Sequence, residues 1–143
     1  MRTNVSGRIA AVLVGLEGLG VAALTVREII AIVVGDTGSI ESAIALAVLT
    51  LLGAVAVLAF AIAIWRGQSW GRSGGIVTQL LILAVALGAA TGAFADQTLA
   101  LVLAVPAVIV LVLLVLAVRD AGRAARRQDG GDAEDEAPGA VSR

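Results

Sequence analysis

The sequence predicts an all-α membrane protein, with four transmembrane helices in an antiparallel up-down bundle and a disordered C-terminal tail. Three observations predict this class. Hydrophobic residues make up 59% of the 143 residues, whereas soluble domains contain about 45–50%. These residues fall in four runs of about 18–22 residues, the length that a helix needs to cross about 30 Å of hydrocarbon. Arginine residues gather at alternate ends of the runs.

Each apolar run predicts one transmembrane helix, and the four helices span about 9–34, 44–65, 76–94 and 99–118. Helices are expected because backbone polar groups in lipid must be satisfied within the protein. The alternation that is typical of a membrane β-strand is missing. The first run follows Arg2 and Arg8, as in a signal peptide, but Glu17 interrupts its apolar stretch. We therefore interpret it as a helix that is retained.

The segment between the second and third helices, residues 67–75, is rich in glycine. It lacks the Lys-Ser/Thr pair of a phosphate-binding loop, so we predict a simple connection. Trp65 and Trp70 flank its arginines, and amphipathic indoles favour the headgroup level of a membrane. In the fourth helix, Pro106 removes one backbone donor and predicts a modest kink.

The composition changes abruptly after Val118. Residues 119–127 are basic, residues 130–136 are mainly acidic, and the last residues are small and polar. Such a segment cannot bury enough apolar surface to offset the entropy cost of ordering. We therefore predict that residues 119–143 form a disordered cytoplasmic tail, whose basic start lies on anionic headgroups.

The positions of arginine predict the orientation of the helices. Eight of the ten arginines flank helix ends on one side: Arg2, Arg8, Arg66, Arg72, Arg119, Arg123, Arg126 and Arg127. The connections on the other side carry three acidic residues and no arginine: Asp36, Glu41 and Asp96. This bias predicts a multi-pass protein of the bacterial inner (plasma) membrane with both termini in the cytoplasm.

Several classes of chemistry are excluded by composition. Cysteine and histidine are both absent from the sequence, which removes disulfides, thiol nucleophiles, imidazole bases and the usual zinc ligands. No second ionisable group lies at the depth of Glu17 to complete an acid–base pair. We therefore expect no enzyme, no catalytic residue, no metal, no cofactor and no nucleic-acid partner.

Glu17 is the residue that costs the most free energy to place inside the membrane. It lies nine residues beyond Arg8, about 13 Å into the membrane, where an acid costs about 2.5–3.5 kcal/mol. Gln79 lies seven residues beyond Arg72, about 10 Å from the same face. Because the first and third helices run in the same direction, we predict an intramembrane polar network of Glu17, Gln79 and Thr78.

Two interpretations of Glu17 remain open at this point. A carboxyl can hydrogen-bond another helix and specify packing, which fits a non-enzymatic accessory or interaction protein. An intramembrane acid is also typical of proton or cation coupling, which fits a small transporter or channel subunit. The expected partners are the lipid bilayer and either other membrane proteins or a second copy of the chain. Ala11 and Gly15 give the first helix small residues that permit close helix contact.

Short motifs resemble uncharacterised small four-helix membrane proteins of high-GC Gram-positive bacteria. They are Ser69-Trp70-Gly71-Arg72, Val77-Thr78-Gln79-Leu80-Leu81 and Leu16-Glu17-Gly18. The resemblance covers about residues 8–118 and implies no activity. All ten basic residues are arginine, as is typical of a high-GC genome. Small multidrug resistance transporters share the four helices and a glutamate in the first helix. Their later helices carry more aromatic residues, so that resemblance is one of architecture.

Overall fold

The computed structural model describes residues 5–93 and 95–135, and all regular secondary structure in these two ranges is α-helical. The helices are α1 (Val5–Val34), α2 (Ile40–Trp65), α3 (Ser69–Thr91) and α4 (Gln97–Asp135). Each is long and apolar enough to cross a membrane. The predicted all-α class with four span-length helices is confirmed.

Most of the apolar surface of the chain faces outward. Between 17% and 28% of the most apolar window of each helix is buried inside the chain. Large side chains such as Leu49 and Val33 are exposed on 68% and 80% of their surface. Exposing apolar surface to water costs about 25 cal/mol of free energy for each Å², whereas exposing it to lipid does not. The four helices therefore indicate a multi-pass membrane protein.

The helices begin before the apolar runs that predicted them. α1 begins at Val5 and α2 at Ile40, each four residues earlier than expected. The predicted connection at residues 67–75 is wrong for its greater part, because α3 already begins at Ser69. Apolar runs mark the hydrocarbon, but polar and glycine residues also continue a helix when a neighbouring helix packs against them.

The C-terminal part also differs from the prediction. The disordered tail is not confirmed, because α4 continues past Val118 to Asp135. Extending an existing helix avoids the cost of nucleation, and the Ala and Arg residues that dominate 119–127 are strong helix formers. Phe94, the predicted end of the third helix, and residues 136–143 of the predicted tail lie outside the described residues.

Short connections join the helices. α1 and α2 are each followed by a glycine in the left-handed region, Gly35 with φ 78° and Gly67 with φ 74°, where residues with a side chain are strained. Asp96 caps α4, because its Oδ1 accepts a hydrogen bond from the Leu99 amide at 3.0 Å. Such tight turns keep consecutive helices side by side.

The helices pack in a ring in which each one contacts two neighbours. The contacts between α1 and α2 are the most extensive, followed by those between α3 and α4. Smaller contacts join α2 to α3 and α1 to α4, so α1 and α3 lie across the bundle from each other. The core joins α1, α2 and α4 through alanine and branched aliphatic residues: Ala10, Ala11, Val14, Ala61, Ile64, Val110 and Leu114.

Candidate functional site

A hydrogen bond between Glu17 and Gln79 crosses the interior of the bundle. Gln79 in α3 is 0% exposed, and its Nε2 donates to Oε2 of the half-buried Glu17 in α1 at 2.5 Å. The two helices lie on opposite sides of the ring, so this contact is made by long side chains. It places a carboxyl and an amide together in the apolar part of the molecule.

Glycine residues explain why Gln79 reaches the interior. Gly71, Gly75 and Gln79 are all buried in α3, and their four-residue spacing puts them on one face of the helix. Leu114 of α4 fills the space beside Gly75, at 3.0 Å from the position of an added Cβ. Because the two glycines carry no side chains, α3 comes close to its neighbours and its glutamine is fully enclosed.

Thr78, the third member of the predicted network, is placed differently. Its hydroxyl donates to the Gly74 carbonyl of its own helix at 3.0 Å, which is the usual bond of a threonine in a membrane helix. The structure therefore brings Glu17 and Gln79 together and leaves Thr78 outside their hydrogen bond.

A cavity of about 250 Å³ lies beside Glu17, between α1 and α4. Its walls are otherwise apolar and include Leu13, Val105 and Ile109. Pro106 also lines it, and proline lacks the amide that would bond the carbonyl four residues earlier. Glu17 is the one ionisable side chain among the lining residues, but almost all of the cavity surface is apolar, so the carboxyl oxygens contribute little to its wall.

Of the two polar atoms of the Gln79 amide, only Nε2 makes a hydrogen bond. Its Oε1 is buried, and it has no hydrogen-bond partner among the residues that the structure describes. An amide oxygen can accept two hydrogen bonds, and leaving a buried acceptor without a donor costs about 1–3 kcal/mol. A group that adds a donor at position 17 would therefore satisfy this oxygen.

A second polar contact, which the sequence did not predict, joins α1 and α2. The Thr50 hydroxyl lies 3.3 Å from Glu28 Oε1 and 2.9 Å from the Leu46 carbonyl, so its single hydrogen is shared between two acceptors. Glu28 Oε2 is buried and has no partner within the described ranges. The sequence pattern that could have indicated this contact is the spacing of the two glutamates. Glu28 follows Glu17 by eleven residues, about three helical turns, so both lie on the same face of α1.

Aromatic residues gather where α2 ends and α3 begins. The guanidinium of Arg8 lies over the ring of Trp65, 5.2 Å from its centroid. Trp70 packs edge-on against Phe60 with ring centroids 5.9 Å apart, and its Nε1 donates to Gln68 at 3.2 Å. This end of the bundle therefore presents amphipathic rings beside a positive charge.

Across residues 5–93 and 95–135, no group of three acidic side chains lies close enough to hold a metal ion. Comparison of the chain with protein-family models, with curated proteins and with solved structures finds no match. The role of the chain must therefore be inferred from its own geometry.

Proposed function

We propose that this chain is a non-enzymatic accessory or interaction protein of a membrane, in which the Glu17–Gln79 hydrogen bond fixes the arrangement of the four helices. The observation that carries the proposal is the complete burial of Gln79 against the carboxyl of a helix across the bundle. A carboxyl held in this way by an amide acts as a packing group.

The energetics favour a role in specificity more than in raw stability. Hydrogen bonds between membrane helices contribute about 0.6 kcal/mol on average, because the unfolded helices in lipid also find partners. Rotating α1 so that Glu17 faced lipid would cost about 2.5–3.5 kcal/mol at mid-membrane. The pair therefore favours the rotation of α1 that places Glu17 inside the bundle. A bundle with only apolar residues would penalise other rotations of α1 less.

The proposal includes an antiparallel up-down arrangement with both termini in the cytoplasm of a bacterial cell. The α1–α2 contacts support it: Gly15 lies beside Ala61, with the Gly18–Leu58 and Glu28–Thr50 contacts farther along α1. The arginine bias supports the orientation. The short motifs around Ser69 and Gln79 support the resemblance to small four-helix proteins of high-GC Gram-positive bacteria. Partners would be other membrane proteins or a second copy of the chain.

The orientation predicts a labelling pattern, and the absence of native cysteine makes it simple to measure. We expect Gly38→Cys to react with an impermeant maleimide in intact cells, and Ser69→Cys to react only after permeabilisation. An added Cβ at Gly38 meets nothing within 4 Å, so this variant should fold normally. Labelling of Ser69→Cys in intact cells would contradict the proposed orientation.

The packing role predicts that Glu17→Gln is nearly silent. Glutamine keeps an acceptor for Gln79 Nε2 and adds a donor, which can bond the unpartnered Gln79 Oε1. We expect the free energy of unfolding in detergent to change by less than about 1 kcal/mol, the scale of such bonds in membranes. A loss well above this value would show that the carboxyl itself is required.

The alternative function is a proton-coupled small transporter or channel subunit that uses Glu17. The observation that favours it is the cavity of about 250 Å³ that the Glu17 side chain helps to line. Under our proposal, proteoliposomes of the unmodified chain and of Glu17→Gln dissipate an imposed pH gradient at the same rate. Faster dissipation by the unmodified chain, lost in Glu17→Gln, would establish the alternative, because only the carboxyl can exchange a proton.

A further inference from the structure

A groove between α1 and α2 opens on the outer surface of the bundle and has a volume of about 580 Å³. Its floor consists of small residues, Ala11, Gly15 and Ala61, and branched side chains such as Leu58 and Ile62 form its walls. A Cβ placed on Gly15 would meet the Ala61 Cβ at 3.8 Å, which is ordinary contact. The groove therefore exists because the floor residues are short, and its depth is not needed for the α1–α2 contact itself.

One end of the groove carries a positive charge. Trp65 lines this end, and the exposed Arg8 guanidinium lies over its ring at 5.2 Å. Arg8, Ala11 and Gly15 are spaced by three and four residues, so they share one face of α1. An arginine stacked on an indole keeps its N–H groups free at the edge of the guanidinium plane. There they can donate two parallel hydrogen bonds to a phosphate.

The length of the groove matches an acyl chain. From Arg8 to Leu19, which lines the groove, α1 rises about 16 Å, and one leaflet of hydrocarbon is about 15 Å thick. An acyl chain of one leaflet can therefore lie along the groove with its headgroup beside Arg8.

We propose that this groove binds one acyl chain of an anionic phospholipid, whose phosphate contacts Arg8. The negative charge of the headgroup follows from the Arg8 guanidinium, which lies over Trp65 at the end of the groove. An arginine near a membrane surface favours an anionic over a zwitterionic lipid by about fivefold. The site is independent of any role of Glu17, which faces the interior of the bundle.

Trp65 provides a direct probe of the bound lipid. In a Trp70→Phe background it is the only tryptophan, and lipids brominated on their acyl chains quench its fluorescence on contact. Proteoliposomes would contain mixtures of phosphatidylcholine and phosphatidylglycerol, with either lipid brominated. We expect brominated phosphatidylglycerol to be selected at Trp65 by about fivefold, and Arg8→Gln to reduce this selection to near unity.

Filling the groove tests its shape. Gly15→Leu places a side chain over the floor and should reduce quenching by both brominated lipids. Gly20→Leu is the matched control, because an added Cβ at Gly20 meets nothing within 4 Å, and it should leave quenching unchanged. Circular dichroism would show that both variants keep their helices.

Two results would overturn the proposal. Equal quenching by the two brominated lipids, unaffected by Arg8→Gln, would show that Trp65 senses only bulk lipid. A change from dimer to monomer in Gly15→Leu, with lipid selection unaltered, would show that the groove holds a second copy of the chain.

Discussion

Replacing Gly71 with alanine is expected to destabilise the bundle by about 1–3 kcal/mol, the usual cost of overpacking. An added Cβ would lie 2.8 Å from the Ile64 nitrogen and 2.9 Å from the Ala63 carbonyl carbon. These are backbone atoms of α2, so no side chain can turn away to relieve the contact. The two helices would have to separate at the point where α3 begins.

The effect can be measured as the change in the free energy of unfolding in detergent, followed by circular dichroism. Gly88→Ala is the matched control in the same helix, because an added Cβ there meets nothing within 4 Å. It should stabilise the protein by about 0.5–1 kcal/mol through helix propensity. Equal responses of the two variants would contradict the close approach of α2 and α3.

Replacing Gln79 with leucine is expected to have a comparable effect by another route. Leucine is similar in size, but it leaves the Glu17 carboxyl without its donor inside the bundle, which costs about 1–3 kcal/mol. Glu17→Leu would orphan the Gln79 amide in the same way. The double variant replaces both partners with apolar groups, a change that is often nearly neutral, and we expect it to recover most of the lost stability.

This double-mutant cycle measures the coupling between the two side chains. A coupling of about 0.6 kcal/mol or more, with the double variant more stable than Gln79→Leu, is the expected result. Additive losses would mean that the two residues act independently and that the bond is incidental to the arrangement of the helices. The unfolding measurements would be made under one detergent condition for all four proteins.

The number of helices followed directly from the sequence, but their ends did not. Four apolar runs long enough to cross hydrocarbon leave little choice, because backbone groups in lipid must bond within each helix. The beginning of α3 at Ser69 was missed because glycine has poor helix propensity. In this chain Gly71 and Gly74 are close to Ala63 and Phe60, and that tertiary contact outweighs propensity.

The polar contacts could be predicted only where the depth of two side chains in the membrane is enough to decide whether they meet. Counting residues from the nearest arginines put Glu17 and Gln79 at similar depth, and the structure joins them. Thr78 has the same depth, but its hydroxyl reaches a carbonyl of its own helix, a local option that depth does not reveal. Glu28 pairs with Thr50 of α2, and predicting that contact required the relative position of two helices.

The unequal contacts around the ring bear on how the chain is synthesised. α1 and α2 emerge first and form the most extensive pair, so this hairpin can assemble before α3 is made. During that interval Glu17 has no Gln79 to accept from, because its partner is still in the ribosome. In the α1–α2 hairpin the Glu17 carboxyl therefore lacks the hydrogen bond from Gln79, and the insertion of α3 into the bilayer supplies it. A chain that is interrupted after α2 never gains this hydrogen bond, because Gln79 lies in α3.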